Sequence, residues 1–200
     1  MVKKVSIGVL GIQGAVSEHV NIMTTVLKKT GNNGKTFIVK NKEDIKDIDA
    51  LIIPGGESTT ISRVMYNSDL YEAISNKIKK NDLPIMGTCA GCVILAKEIS
   101  NDPKNEIKQL SQMNMQVERN AFGRQKESFE KPIKIKDFSS PYHAVFIRAP
   151  IIKKTWGKCE TLAKIDKKII MARQDRLLAL AFHPELTNDL RVHNYFLELI

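Results

Sequence analysis

No apolar run in this 200-residue sequence approaches the roughly eighteen residues that a membrane-spanning helix requires, so no membrane association is expected. Cysteine is scarce. There are three, an odd number without framework spacing, which suits a reducing cytoplasm better than a disulfide-stapled secreted fold. Aromatic residues make up only 6% of the chain, and only seven of the basic residues are arginines. The formal net charge of +9 therefore does not read as a nucleic-acid interface: the lysines are scattered, never more than two basic residues stand together, and few rings are available to stack bases. No His, Cys, Asp or Glu set has metal-ligand spacing, and neither a metal nor a cofactor is expected. Lys3-Lys4 and the apolar residues after it imitate a leader peptide, but the apolar run is short and Gly11-Ile12-Gln13-Gly14 is a poor cleavage context. Gly31-Asn32-Asn33-Gly34-Lys35-Thr36 imitates the end of a phosphate-binding loop, yet Lys29 stands where its first glycine belongs, so it reads as a turn.

What is present is ordinary for a globular α/β chain. Hydrophobic residues make up 42% and charged residues 26%, and the length suits one core, so residues 1–200 are read as a single domain. Strand patterns at 5–10, 37–39, 50–53 and 84–86 alternate with helical ones at 15–27, 70–78 and 90–99. In the first helix Val16, Val20, Met23 and Leu27 form one apolar stripe. This βαβ cadence predicts a parallel sheet covered on both faces. The second half differs: strand patterns at 113–118, 144–148, 159–165, 168–173 and 177–182 have little helix between them, which predicts an antiparallel extension. Residues 188–199 read as a closing helix, and the polar stretch 100–112 as a mobile surface loop.

Three segments carry chemistry. Gly87-Thr88-Cys89-Ala90-Gly91 has the form glycine, any residue, nucleophile, any residue, glycine, between an apolar strand and a helical pattern. Flanking glycines let strand and helix approach around a sharp turn that lifts the Cys89 side chain above the sheet edge, where helix amides favour the thiolate. The Ala90 amide would face an oxyanion formed at Cys89. His183-Pro184-Glu185 closes an apolar strand; in an extended chain residues two apart face the same way, so Glu185 can hold the His183 ring. Pro54-Gly55-Gly56-Glu57-Ser58-Thr59-Thr60 reads both as a turn with a helix cap and as a source of the second oxyanion donor, near Gly56. Each has a plainer reading: a free cysteine is commonly a buried structural one, and Cys89-Ala90-Gly91-Cys92 has the form of a thioredoxin-like redox site. His19, His143, His193 and Cys159 show no partner pattern and default to structural roles.

Taken with Gly11-Ile12-Gln13-Gly14-Ala15-Val16, Val117 to Gln125 and Phe146-Ile147-Arg148-Ala149-Pro150, these segments resemble the glutaminase subunit of pyridoxal 5'-phosphate synthase, within the class I glutamine amidotransferases. The elbow and the His-x-Glu alone would indicate only the wider class. The resemblance implies a flavodoxin-like three-layer fold and hydrolysis of L-glutamine to glutamate and ammonia, with Cys89, His183 and Glu185 as the triad. It places glutamine on Gly56, Glu57, Ser58, Arg119, Ile147 and Arg148, and makes Gln13-Gly14 a partner-facing turn. It further implies a hetero-oligomer with a barrel subunit that uses the ammonia to build the cofactor from a pentose phosphate and a triose phosphate. Alternatives are the glutaminase of another synthase, such as imidazole glycerol phosphate synthase, a redox protein, or a catalytically silent regulatory subunit. Cys92 departs from the family's pattern, which has an apolar residue there.

Overall fold

The computed structural model describes residues 4–80, 83–119, 121 and 128–200; Asn120 and Phe122-Gly123-Arg124-Gln125, part of one block carrying the resemblance, lie outside them. The first half runs β1 (Ser6–Leu10), α1 (Val16–Lys29), β2 (Lys35–Val39), α2 (Lys42–Lys46), β3 (Ala50–Ile53), α3 (Ser58–Asn67), α4 (Leu70–Lys79), β4 (Ile85–Thr88), α5 (Ala90–Leu95) and β5 (Ala96–Ile99). The second half runs β6 (Met113–Glu118), β7 (Phe129–Ile133), β8 (Tyr142–Phe146), β9 (Ile151–Thr155), β10 (Glu160–Ile165), β11 (Lys168–Gln174), β12 (Leu177–Leu180) and α6 (Arg191–Leu197).

Strands β2-β1-β3-β4-β12 lie side by side in that order, all parallel, the flavodoxin-like arrangement. Beyond β12 the sheet continues through β11, β9 and β6 by antiparallel pairing, with β10 also on β11 and β5 parallel to β6 at the far edge. Strands β7 and β8 form a separate hairpin. The expected parallel sheet with an antiparallel extension is thus present.

Alternation along the central strands makes the three layers. In β3, Ala50 and Ile52 pack with Met23, Val26 and Leu27 of α1 and with Val192 and Phe196 of α6. Leu51 and Ile53 face the other way, onto Ile61 and Met65 of α3 and Leu70 and Ile74 of α4. All four β3 residues are wholly buried, which is why the segment reads as a continuous apolar run rather than an alternating one. Each such Ile or Leu contributes about 1.5–3 kcal/mol relative to exposure.

Several local expectations need correction. The helix expected over 90–99 stops at Leu95, and Ala96–Ile99 is a strand paired with β6, because that pairing outweighs the helix propensity of the Ala-Lys-Glu stretch. The strand expected at 144–148 is Tyr142–Phe146; the chain leaves it at Ile147, and Arg148 has φ +46°, outside any strand geometry. Helix α2 and strands β7 and β9 were not expected, and of α3 only the capped start was. Helix α2 carries a complete capping box between Asn41 and Asp44. Residues 100–112 are irregular but tied down: Ile107 and Leu110 are buried, the Ser62 hydroxyl bonds both to the carbonyl and from the amide of Lys108, and the Tyr71 hydroxyl donates to the Gln109 carbonyl.

Candidate active site

The carboxyl ends of β1, β3, β4 and β12 open on one side of the parallel block, where α/β sheets place their ligands. Four segments leave these ends: Gly11 to Ala15, Pro54 to Glu57, Cys89 and Ala181 to His183.

Cys89 is the sharp bend between β4 and α5, with φ +50° and ψ −100°, a conformation that costs a non-glycine residue on the order of 1–3 kcal/mol. The bend is held from two sides. The Cys89 amide donates to the Leu180 carbonyl at 2.8 Å, and a Cβ on Gly91 would lie 2.2 Å from the Ile53 carbonyl oxygen, so only glycine lets α5 sit this close to β3. The thiol lies 3.7 Å from the Ile147 carbonyl.

His183 follows β12, and its amide donates to the Val145 carbonyl at 2.8 Å, which ties it to β8. Its Nδ1 lies 2.7 Å from Oε1 of Glu185, and both residues are buried. The pair meets somewhat differently from the extended geometry expected: His183 is non-helical, but Pro184–Leu186 form one 3₁₀ turn that swings Glu185 back under the ring. Burial alone would depress the imidazolium, yet a negative Cys89 sulfur and the Glu185 carboxylate outweigh it and raise the His183 pKa to about 10. Burial likewise favours neutral Glu185, but His19 and His183 hold its carboxyl below the usual range. The buried Nε2 of His183 makes no aligned hydrogen bond among the described residues.

Gly55 packs directly against this pair: a Cβ there would stand 2.5 Å from Cε1 of His183 and 3.2 Å from Cβ of Cys89. Glu57 caps α3, accepting from the amides of Thr59 at 3.0 Å and Thr60 at 2.6 Å. Arg119 reaches Glu57 Oε1 at 3.5 Å and Thr59 Oγ1 at 3.4 Å. The Gln13 side-chain carbonyl accepts from the Glu57 amide at 3.2 Å.

A cavity of about 430 Å³ brings together Gln13, Gly14, Gly56, Glu57, Ser58, Cys89, Ala90, Arg119, Ile147, Arg148 and His183, all singled out in the sequence; Glu185 stands behind His183. Gln13 and Gly14, expected to face a partner, line this cavity. Gly55, Val93 and Pro150 also line it and were not assigned a role. Cys92 does not line it. Its side chain is in the core with Ile94 and Leu95, and burial together with the nearby Cys89 and Cys159 pushes its thiol pKa up, away from the thiolate a redox pair uses. The three cysteines are unpaired. Among the described residues no group of three or more His, Cys, Asp or Glu is placed to hold a metal ion, and no helix is long and apolar enough to cross a membrane.

His19 is the residue that sequence reasoning passed over. It is fully buried and its Nε2 lies 3.3 Å from Glu185 Oε2. The signal available was its position on the buried stripe of α1, where Ile22, Met23 and Val26 are its neighbours.

Comparison with known proteins finds relatives over nearly the whole chain. A solved structure described as a glutamine amidotransferase superposes with a TM-score of 0.85 at 41% identity, covering 96% of this chain and 97% of that one. A glutamine amidotransferase from Thermotoga maritima, 13% identical with a TM-score of 0.65, shares the fold over 98% of this chain and 82% of its own. Proteins named pyridoxal 5'-phosphate synthase subunit PdxT are 47% identical in Staphylothermus marinus, over 97% of this chain and 98% of the relative, and 48% identical in Brevibacillus brevis, over 97% and 96%. The family model of the SNO glutamine amidotransferases matches residues 9–200, and the chain belongs to that family.

Proposed function

We propose that this chain hydrolyses L-glutamine to L-glutamate and ammonia as the glutaminase subunit of a pyridoxal 5'-phosphate synthase, with Cys89 as nucleophile, His183 as base and acid, and Glu185 as the group that orients His183. The observation that carries the reading is Cys89 in its strained bend beside His183, whose far nitrogen is held at 2.7 Å by Glu185. The raised His183 pKa favours transfer of the thiol proton to its Nε2. The sulfur then attacks the side-chain amide carbon, and backbone amides near Gly56 and Ala90 take the negative oxygen. The carbon–nitrogen bond breaks as His183 returns its proton to the departing nitrogen, releasing ammonia. Water, deprotonated by the same imidazole, then attacks the thioester carbonyl carbon; cleavage of the carbon–sulfur bond gives glutamate and regenerates Cys89.

Substrate selection follows from charge. Glutamine presents a carboxylate and an ammonium, and the cavity offers Arg119 and Arg148 for the first and Glu57 for the second. Ammonia passes to a separate barrel subunit within a hetero-oligomer, in the cytoplasm, and the Gln13-Gly14 turn, which lines the cavity, serves as a contact for that subunit. Residues 1–200 act as one domain.

Cys89→Ser and Cys89→Ala are expected to reduce glutamate release by at least about 10³-fold, with and without the synthase subunit, while leaving the far-ultraviolet circular dichroism unchanged. Ordinary turnover in either variant would sink the proposal. The mass of the subunit that co-purifies with the tagged chain identifies which synthase it serves.

A further inference from the structure

His19 sits in the first turns of α1, fully buried, in contact with two segments of the active site at once. Its Nε2 is 3.1 Å from the Thr88 hydroxyl, on the residue just before Cys89, and 3.3 Å from Oε2 of Glu185. That oxygen makes no aligned hydrogen bond among the described residues, and the His19 ring at 3.3 Å is placed to satisfy it. An unprotonated Nε2 would aim a lone pair at the carboxylate. The proton therefore belongs on Nε2, shared between Thr88 and Glu185, and leaves Nδ1 bare and buried without a partner.

The charged and titratable groups around His19 agree with a neutral ring. Burial lowers its affinity for a second proton; Glu185 and Glu18 oppose this, and His183 adds to it. His193 of α6 lies beside it, ring centroids 5.9 Å apart, and burial keeps that ring neutral too.

Building on the glutaminase reading, we infer that His19 is a positioning residue of the triad: it holds the second oxygen of Glu185 and the Thr88 hydroxyl, so that Oε1 stays aimed at His183 Nδ1. A carboxylate held at both oxygens cannot rotate about its terminal bond without losing both contacts, and the clamp fixes the imidazole tautomer that the chemistry requires. It also fastens α1 to both catalytic segments.

Substitution at the two ring-nitrogen positions tests this. Glutamine carries an amide nitrogen near the place of Nε2, asparagine near that of Nδ1. The full chain with His19→Gln is expected to keep kcat within about threefold, whereas His19→Asn and His19→Leu lose about tenfold to a hundredfold in kcat at little-changed KM. Glutamate release would be measured with the synthase subunit present. On the chain alone, the pH profile of Cys89 alkylation by iodoacetamide should move in His19→Asn and stay in place in His19→Gln; if His19→Leu does not fold, this polar pair carries the test. In a Glu185→Gln background the His19→Asn effect should shrink to nearly nothing, as expected for a residue acting through Glu185. Equal losses in the Gln and Asn variants with an unmoved alkylation profile would reduce His19 to a packing residue, and unchanged kcat in His19→Asn would overturn the inference. A parallel Cys89→Ser sample separates the two readings: its inactivity beside fully active His19 variants sinks only the inference, and its activity sinks the glutaminase reading itself.

Discussion

Cys89, His183 and Gly55 meet on one side of the cavity so closely that Gly55 leaves no room for a Cβ. The Cβ of an alanine at 55 would stand 2.5 Å from His183 Cε1 and 3.2 Å from Cys89 Cβ, so the ring, held by Glu185, or the Cys89 bend must shift. Gly55→Ala is therefore expected to lower kcat/KM by about 100-fold, the effect of displacing reacting groups by about an ångström, with little change in melting temperature. Wild-type turnover in a purified, folded Gly55→Ala sample would show that the two side chains yield without consequence. At this scale the proposed triad was legible as a candidate because its residue types stand directly after strands, in the pattern an elbow nucleophile and its base require. The part played by Gly55 was not, since sequence shows that a turn is tight but not what it is tight against. His19 was invisible for a related reason: a histidine on a buried helix stripe reads as packing until the fold places a carboxylate beside it.

Among the elements, α3 shows how one residue serves local and tertiary ends together. Glu57 satisfies two of the unpaired amides at the helix start and also receives Arg119 from beyond β6. Partial burial works against its charge, but those amides hold its carboxyl below the usual range. Glu57→Ala is expected to lower stability by about 1 kcal/mol through loss of the cap, measured by urea unfolding at neutral pH; an unchanged midpoint would mean that water replaces the cap at no cost. Boundaries were the least legible feature here. The chain from Ala96 to Glu98 consists of good helix formers, yet with Ile99 it becomes β5 because β6 offers backbone partners at the sheet edge. The short strand β9 was hidden by Lys153 and Lys154, which are exposed in it. Its pairing with β6 and β11 could not be read from its composition.

For the molecule as a whole, buried histidines set two separate pH limits on stability. His193 is neutral and fully buried, its pKa lowered to about 3 by burial first and by His19 second, from an ordinary 6.5. Between those values the unfolded chain binds the extra proton and the native one does not, so stability falls as pH drops through that window. The depressed pKa of Glu185 acts in the same sense at lower pH. His183 acts oppositely: raised from 6.5 to about 10, it contributes stability that is complete below 6.5 and lost as pH rises through about 10. Neither ring nitrogen of His193 has a hydrogen-bond partner among the described residues, so an apolar side chain of similar size should fit better. His193→Leu is expected to raise stability by about 1 kcal/mol at neutral pH and by more near pH 5, flattening the acid limb. Urea titrations at both pH values check this, and an acid limb as steep as wild type would contradict it. The parallel sheet and its antiparallel extension were settled by the sequence itself, through apolar runs that must be buried on both faces and glycine turns that must follow them. The sequence also nominated Cys89, His183 and Glu185 as a candidate triad, through an elbow cysteine and a His-x-Glu placed after strands. Only the tertiary structure decided what surrounds them: Gly55 against the ring, Arg119 on Glu57 and His19 behind Glu185 are contacts between residues 62 to 166 positions apart, and no local pattern encodes the distance at which such segments meet.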